Sequence, residues 1–99
     1  MVIVGITQYP PSSSNAVGKT FTQLTPLPDF ITRIGPYVTS EIGQGIKGIT
    51  AFEFDNARMA EALESVGNYY VAFRDVPEFT YSINVCYEAQ EALKMIGLG

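Results

Sequence analysis

The residues best placed to do chemistry lie near the end of the chain. Thr80, Ser82, Asn84 and Cys86 alternate with Phe79, Tyr81, Ile83, Val85 and Tyr87. That period of two describes a strand with one large apolar face and one small polar face. Solvent-facing strands usually carry Lys and Glu, and this polar face carries neither. Short polar side chains suit a semi-enclosed cavity or a subunit interface, where long charged groups would be costly to desolvate. Thr80, Ser82, Asn84 and Cys86 are therefore the candidate ligand-binding residues. Glu53, between Phe52 and Phe54, is the candidate catalytic residue. A desolvated carboxylate there would act as a base or a ligand. The plainer reading is a carboxylate at the sheet end, paired with Lys47, Arg33 or Arg74. The sequence contains no histidine. Cys86 thus lacks the usual activating base and reads as an inert thiol. Tyr69, Tyr70, Tyr81 and Tyr87 read as core or interface anchors.

Two further stretches imitate functional motifs. Ser13-Ser14-Asn15-Ala16-Val17-Gly18-Lys19-Thr20 resembles a phosphate-binding P-loop, but Ser13 stands where its first glycine belongs. It reads as a capped helix start with an exposed Lys19. Lys47-Gly48-Ile49-Thr50-Ala51-Phe52-Glu53-Phe54 matches the RNA-recognition-motif octapeptide at its first two positions and its last. RNA binding there depends on aromatic faces that stack bases. Ile49 and Ala51 occupy the stacking positions, and the companion aromatic of the first strand would fall near Ile3.

Composition narrows the rest. Six basic residues against ten acidic give a net charge of −4. Nucleic acids and anionic membranes are disfavoured partners, since affinity for them comes from Lys and Arg. Without histidine, and with one cysteine, neither a histidine-ligated metal nor a thiolate cluster is available. No metal and no cofactor are expected. No apolar run approaches the ~18 residues of a membrane span, and no secretion signal is visible. The chain is expected to be cytoplasmic. Hydrophobic residues make up 46% and charged residues 16%, against ~25% charged in ordinary domains. A chain so composed has apolar surface to hide, and a second copy would hide it.

The elements that position these residues follow from periodicity. Val2 to Tyr9 is apolar on both alternating faces, as in a central strand, and Pro10-Pro11 stops it. Three serines and Asn15 offer N-caps for a short helix carrying Val17, Phe21 and Leu24. Residues 29 to 36 could be a helical turn or extended chain. Tyr37 to Ile42 reads as an edge strand, Gly43-Gln44-Gly45 as a hairpin turn, and Ile46 to Phe54 as a second central strand. Asp55 or Asn56 caps the strongest helix, whose stripe is Met59, Leu63, Val66, Tyr70 and Phe73. Gly67 interrupts it, implying a close backbone approach or a bend. The alternating strand and a last helix, Ala89 to Ile96, complete the chain. Residues 1–99 therefore form a single α+β domain of order βαββαβ plus a C-terminal helix. This is the ferredoxin-like arrangement, with an antiparallel four-stranded sheet whose first and third strands are central.

The order, the length, the hairpin about Gly43-Gln44-Gly45 and the terminal helix resemble the dimeric α+β barrel superfamily. The likeness covers nearly the whole chain and is one of architecture. It implies two sheets from two subunits facing each other, with a pocket between sheet and helices. Members include cofactor-free monooxygenases and isomerase-like proteins. Their pocket histidines and tryptophans have no counterpart here, so no catalytic residue carries over. The expected function is a homodimer that binds a small, partly apolar molecule. A cofactor-free isomerase or monooxygenase working through Glu53, Tyr or Asn84 is the alternative, and a regulatory ligand-sensing module is the third.

Overall fold

The computed structural model describes residues 1–99. Its strands are β1 (Val2–Tyr9), β2 (Thr32–Glu41), β3 (Gly45–Glu53) and β4 (Thr80–Cys86). Its α-helices are α1 (Ser14–Thr22), α2 (Met59–Val71) and α3 (Ala89–Met95). The strands form one sheet in the order β2-β3-β1-β4, antiparallel throughout. The two-sided apolar strands β1 and β3 hold the centre and the mixed strands hold the edges. The arrangement is compatible with a ferredoxin-like fold.

The register sorts side chains onto two faces. Ile3 opposes Phe52 and Val85, and Gly5 opposes Thr50 and Ile83. This face meets α1 and α2. Ile3, Phe52, Ala62, Val66 and Tyr70 are almost wholly buried between the layers, with Ile31, Tyr69, Phe73 and Val76 around them. The aromatic rings pack edge-on, Phe52 to Tyr69 at 5.4 Å and Tyr69 to Tyr70 at 4.9 Å. Such pairs add to the gain from area burial alone.

Gly5 explains how Tyr70 fits. A Cβ on Gly5 would overlap the Tyr70 hydroxyl and ring. Glycine in a strand interior marks such a close approach. Here it lets the tip of a helix tyrosine reach the middle of the sheet.

Several expectations need correcting. β2 begins at Thr32 rather than Tyr37. The Ile34-Gly35-Pro36 stretch reads as a break, yet it is a bulge within the strand. Ile34 pairs with Ala51 and Tyr37 with Ile49, so Gly35 and Pro36 together face Thr50. Gly35 has φ 96° there, a value that favours glycine. The serines and Asn15 do not cap α1 through their side chains. Ser13 is buried and its hydroxyl instead donates to the Pro77 carbonyl at 2.6 Å. Asp55 does cap its turn, accepting from the Ala57 N–H at 3.0 Å. The buried stripe of α2 is Ala62, Val66, Tyr69 and Tyr70, with Phe73 buried in the turn after it, while Leu63 is exposed. Gly67 marks no close backbone approach, because a Cβ there would meet nothing within 4 Å.

The molecule is extended for its length. Its radius of gyration is 15.0 Å, against about 13 Å for a compact chain of about 100 residues. Only 14 of the 99 residues are buried. With α1 and α2 on one side of the sheet, much apolar surface stays uncovered.

Candidate functional site

The structure brings Thr80, Ser82, Asn84 and Cys86 together on the face that no helix of this chain covers. They neighbour Gln8, Ile6, Val4 and Val2 of β1, which neighbour Lys47, Ile49, Ala51 and Glu53 of β3. Thr32, Ile34, Tyr37 and Thr39 of β2 continue the rows. The two central rows are Ser82-Ile6-Ile49-Tyr37 and Asn84-Val4-Ala51-Ile34. Neither contains a charge. Asn84 Nδ2 donates to the Val4 carbonyl and to Ser82 Oγ, both at 3.0 Å. This ties the polar edge to the sheet. An uncovered antiparallel face normally turns polar groups to water. Here Tyr37 is 66% exposed, Ile49 40% and Ile34 37%.

Glu53 also stands on this open face, at its end, and is exposed. The burial that would make it a base is missing. None of the three suggested partners pairs with it. Lys47 lies 3.9 Å from Glu41. Arg33 sits over the Phe21 ring at 5.1 Å. Arg74 donates to the Val71 carbonyl. Ile49 and Ala51 do occupy the open face, where bases would stack, but Ile3 is wholly buried on the opposite one. Lys19 is an exposed residue within α1, so Ser13 to Thr20 forms no phosphate loop.

The helix-covered face holds a hollow that sequence reasoning missed. A cleft of about 230 Å³ lies between the sheet, α1 and α2. Its sheet side is Thr7, Tyr9, Gly48 and Thr50; α1 contributes Ser14, Val17, Gly18 and Phe21. Tyr69, Tyr70, Phe73 and Phe79 supply an aromatic wall, and the β2 bulge brings Pro36 to its side. None of the lining residues is charged. The space exists because small side chains stand in the middle of this face. A visible signal was Gly5 and Thr7 in one central strand with Gly48 and Thr50 in the other, all at helix-facing parity.

Tyr70 is the distinctive group in this cleft. It is 1% exposed, and its hydroxyl is sealed against Gly5 beside Thr50, its nearest polar neighbour, without reaching good hydrogen-bond geometry. A buried polar group left unpaired costs about 1–3 kcal/mol. Burial pushes the Tyr70 phenol up to about 12, and it also raises Tyr69 and Tyr9. All three phenols stay protonated near neutrality. They can donate hydrogen bonds but cannot act as bases.

No family model matches the chain, and searches of curated proteins and of solved structures find no significant match either.

Proposed function

We propose that this chain is a homodimeric protein that binds a small, partly apolar molecule, two copies packing their open sheet faces together as in the dimeric α+β barrels. The uncovered sheet face, apolar and uncharged through its two central rows, carries the reading. A second copy fits it for three reasons. Short side chains at Ser82, Asn84 and Ala51 permit the ~10 Å approach of stacked sheets. Face-to-face packing about a two-fold axis lets the apolar rows cover each other. Lys47 and Glu53 stand at opposite ends of β3 on this face, about 20 Å apart at the strand's rise. An axis crossing the strands would set each Lys47 over its partner's Glu53. The Lys47–Glu41 contact is long and exposed, so exchanging it costs little.

The catalytic alternative has lost its base with Glu53 exposed, and no observation favours it. Light scattering on size-exclusion fractions tests the assembly. Two copies of the 10.8 kDa chain at micromolar concentration are expected. A clean monomer overturns the dimer.

A further inference from the structure

We infer that the outer edge of β4 pairs with the β4 edge of a second copy, antiparallel about a two-fold axis at Ile83, joining two four-stranded sheets into one. This contact is separate from the open-face packing proposed above and goes beyond it.

The two edges of the sheet differ in what protects them. A bare strand edge offers unpaired N–H and C=O groups to any other strand, and proteins blunt it with charges, proline or bulges. β2 has all three: Arg33 and Glu41 towards its ends, Pro36 without an N–H, and the bulge at Gly35-Pro36. β4 has none of them. Thr80 to Cys86 contains no charge, proline or glycine, and its register on β1 runs unbroken from end to end. The helix that follows does not shield this edge. Glu91 of α3 reaches the Met1 amino group and Asn56, on the β1 and β3 side of β4. The margin beside the edge is apolar and exposed as well. Tyr81 and Val85 stand on the helix side of β4 and remain in water. So does Leu63, two turns before the Tyr70 that stacks on Tyr81.

A second copy fits this edge because the strand is a palindrome in side-chain type. With the axis at Ile83, Tyr81 falls opposite Val85, Ser82 opposite Asn84, and Thr80 opposite Cys86. Large apolar groups meet on the helix side and small polar groups on the other, so each face of the joined sheet keeps its character. An aromatic ring against a β-branched side chain is a favourable cross-strand pair, and no like charges meet. Moving the axis to Ser82 or Asn84 leaves part of the strand without a partner. An edge of seven residues buries less than the ~1,200 Å² at which stable interfaces begin. The pairing is therefore weak, at about millimolar concentration, and leaves the micromolar assembly to the open face.

The experiment is light scattering on the full-length chain from about 10 μM to about 1 mM. The wild-type mass is expected to rise from two chains towards four. In Val85→Lys a charge reaches water on the free chain and guards the edge, so the mass should stay at two. Ile49→Lys charges the open face alone, and its mass should rise from one chain to two. A wild-type mass that does not rise, or a rise that Val85→Lys keeps, overturns the inference. A wild type that goes only from one chain to two, with the rise lost in Val85→Lys, overturns the open-face dimer and supports the edge. Oxidation tests the register in a Cys86→Ser background. Ile83→Cys should cross-link two copies, since the paired positions lie about 5 Å apart between Cα atoms. Val85→Cys should not, because its two copies lie more than about 13 Å apart along the strands, although Val85 is the more exposed residue. Equal cross-linking of the two overturns the axis at Ile83.

Discussion

The two faces of this sheet share one backbone and one set of hydrogen bonds, yet they were built to different rules. The helix-covered face is crowded to the point of requiring glycine, with Tyr70 pressed onto Gly5. Its large residues, Ile3, Phe52, Val66 and Tyr70, are almost fully out of water. The open face carries apolar residues of similar kind, Ile34, Tyr37 and Ile49, and leaves each of them partly in water. On the first face a side chain's size is set by its neighbours in the same chain. On the second, neighbours along the sheet constrain it but no layer above it does. Substitutions on the two faces should therefore report on different things: the fold on one, association on the other.

The largest effect belongs to Gly5→Ala. A methyl there must displace the Tyr70 ring or spread the helix from the sheet. Overpacking of this kind costs about 3 kcal/mol, read as a lower urea midpoint with the slope unchanged. The matched change on the open face, Ala51→Val, should move the midpoint of the monomer by only a few tenths of a kcal/mol. Comparable losses at both positions would break the contrast between the faces.

Alkaline pH probes the covered face without any substitution. The Tyr70 phenol ionises at about 12 when folded and near 10 when unfolded. Its folded value is the higher, so the unfolded chain loses the proton first. The contribution is complete below pH 10 and drains away as pH rises from 10 to 12. The gap corresponds to about 2–3 kcal/mol, an upper figure given the half-open cleft. Tyr70→Phe should flatten this fall in stability, with a residual slope from Tyr69 and Tyr9, which burial also raises. A wild-type chain equally stable at pH 8 and pH 11.5 would show that water reaches the phenol freely.

A smaller effect tests the outer surface of α2, whose inner surface covers the sheet. Gly67 has no packing reason in this structure, since a Cβ would meet nothing. Gly67→Ala should raise stability by about 0.5–1 kcal/mol through helix propensity and a stiffer unfolded chain. A loss instead would mean that the position touches something outside this chain.

The strand order was legible because β1 and β3 are apolar at both parities, which only the middle of a sheet accommodates. That Asp55 caps a turn was legible from its type and place, but the turn is the short 3-10 one leading into α2 and not α2 itself. The bulge in β2 was not, since Gly35-Pro36 looks like punctuation until Thr50 is found opposite both. The side-chain bond from Ser13 to Pro77 joins residues 64 positions apart, and no local pattern encodes it. The site was only half legible. Period two correctly put Thr80, Ser82, Asn84 and Cys86 on one face, but parity alone does not say which face the helices take. The cleft depended on small residues in two strands lining up, and that alignment exists only once the register of β1 on β3 is known.

A similarly small effect on the chain's own stability is expected from Ile49→Lys, and it separates the two faces most cleanly. Ile49 stands in a central row of the open face, between Ile6 and Tyr37. On an isolated chain a lysine there reaches water, and the cost stays within about 0.5 kcal/mol. In a face-to-face dimer the same lysine would be buried near its own symmetry mate, where like charges repel and neither is solvated. Partner binding stabilises the folded state by mass action, so wild-type melting temperature should rise with protein concentration. The variant's should not rise, and its light-scattering mass should be that of one chain. At submicromolar concentration the two proteins should melt together. If Ile49→Lys instead lowers stability by several kcal/mol at every concentration, Ile49 is packed within its own chain and the face is not open. If it keeps the wild-type mass, the second copy sits elsewhere.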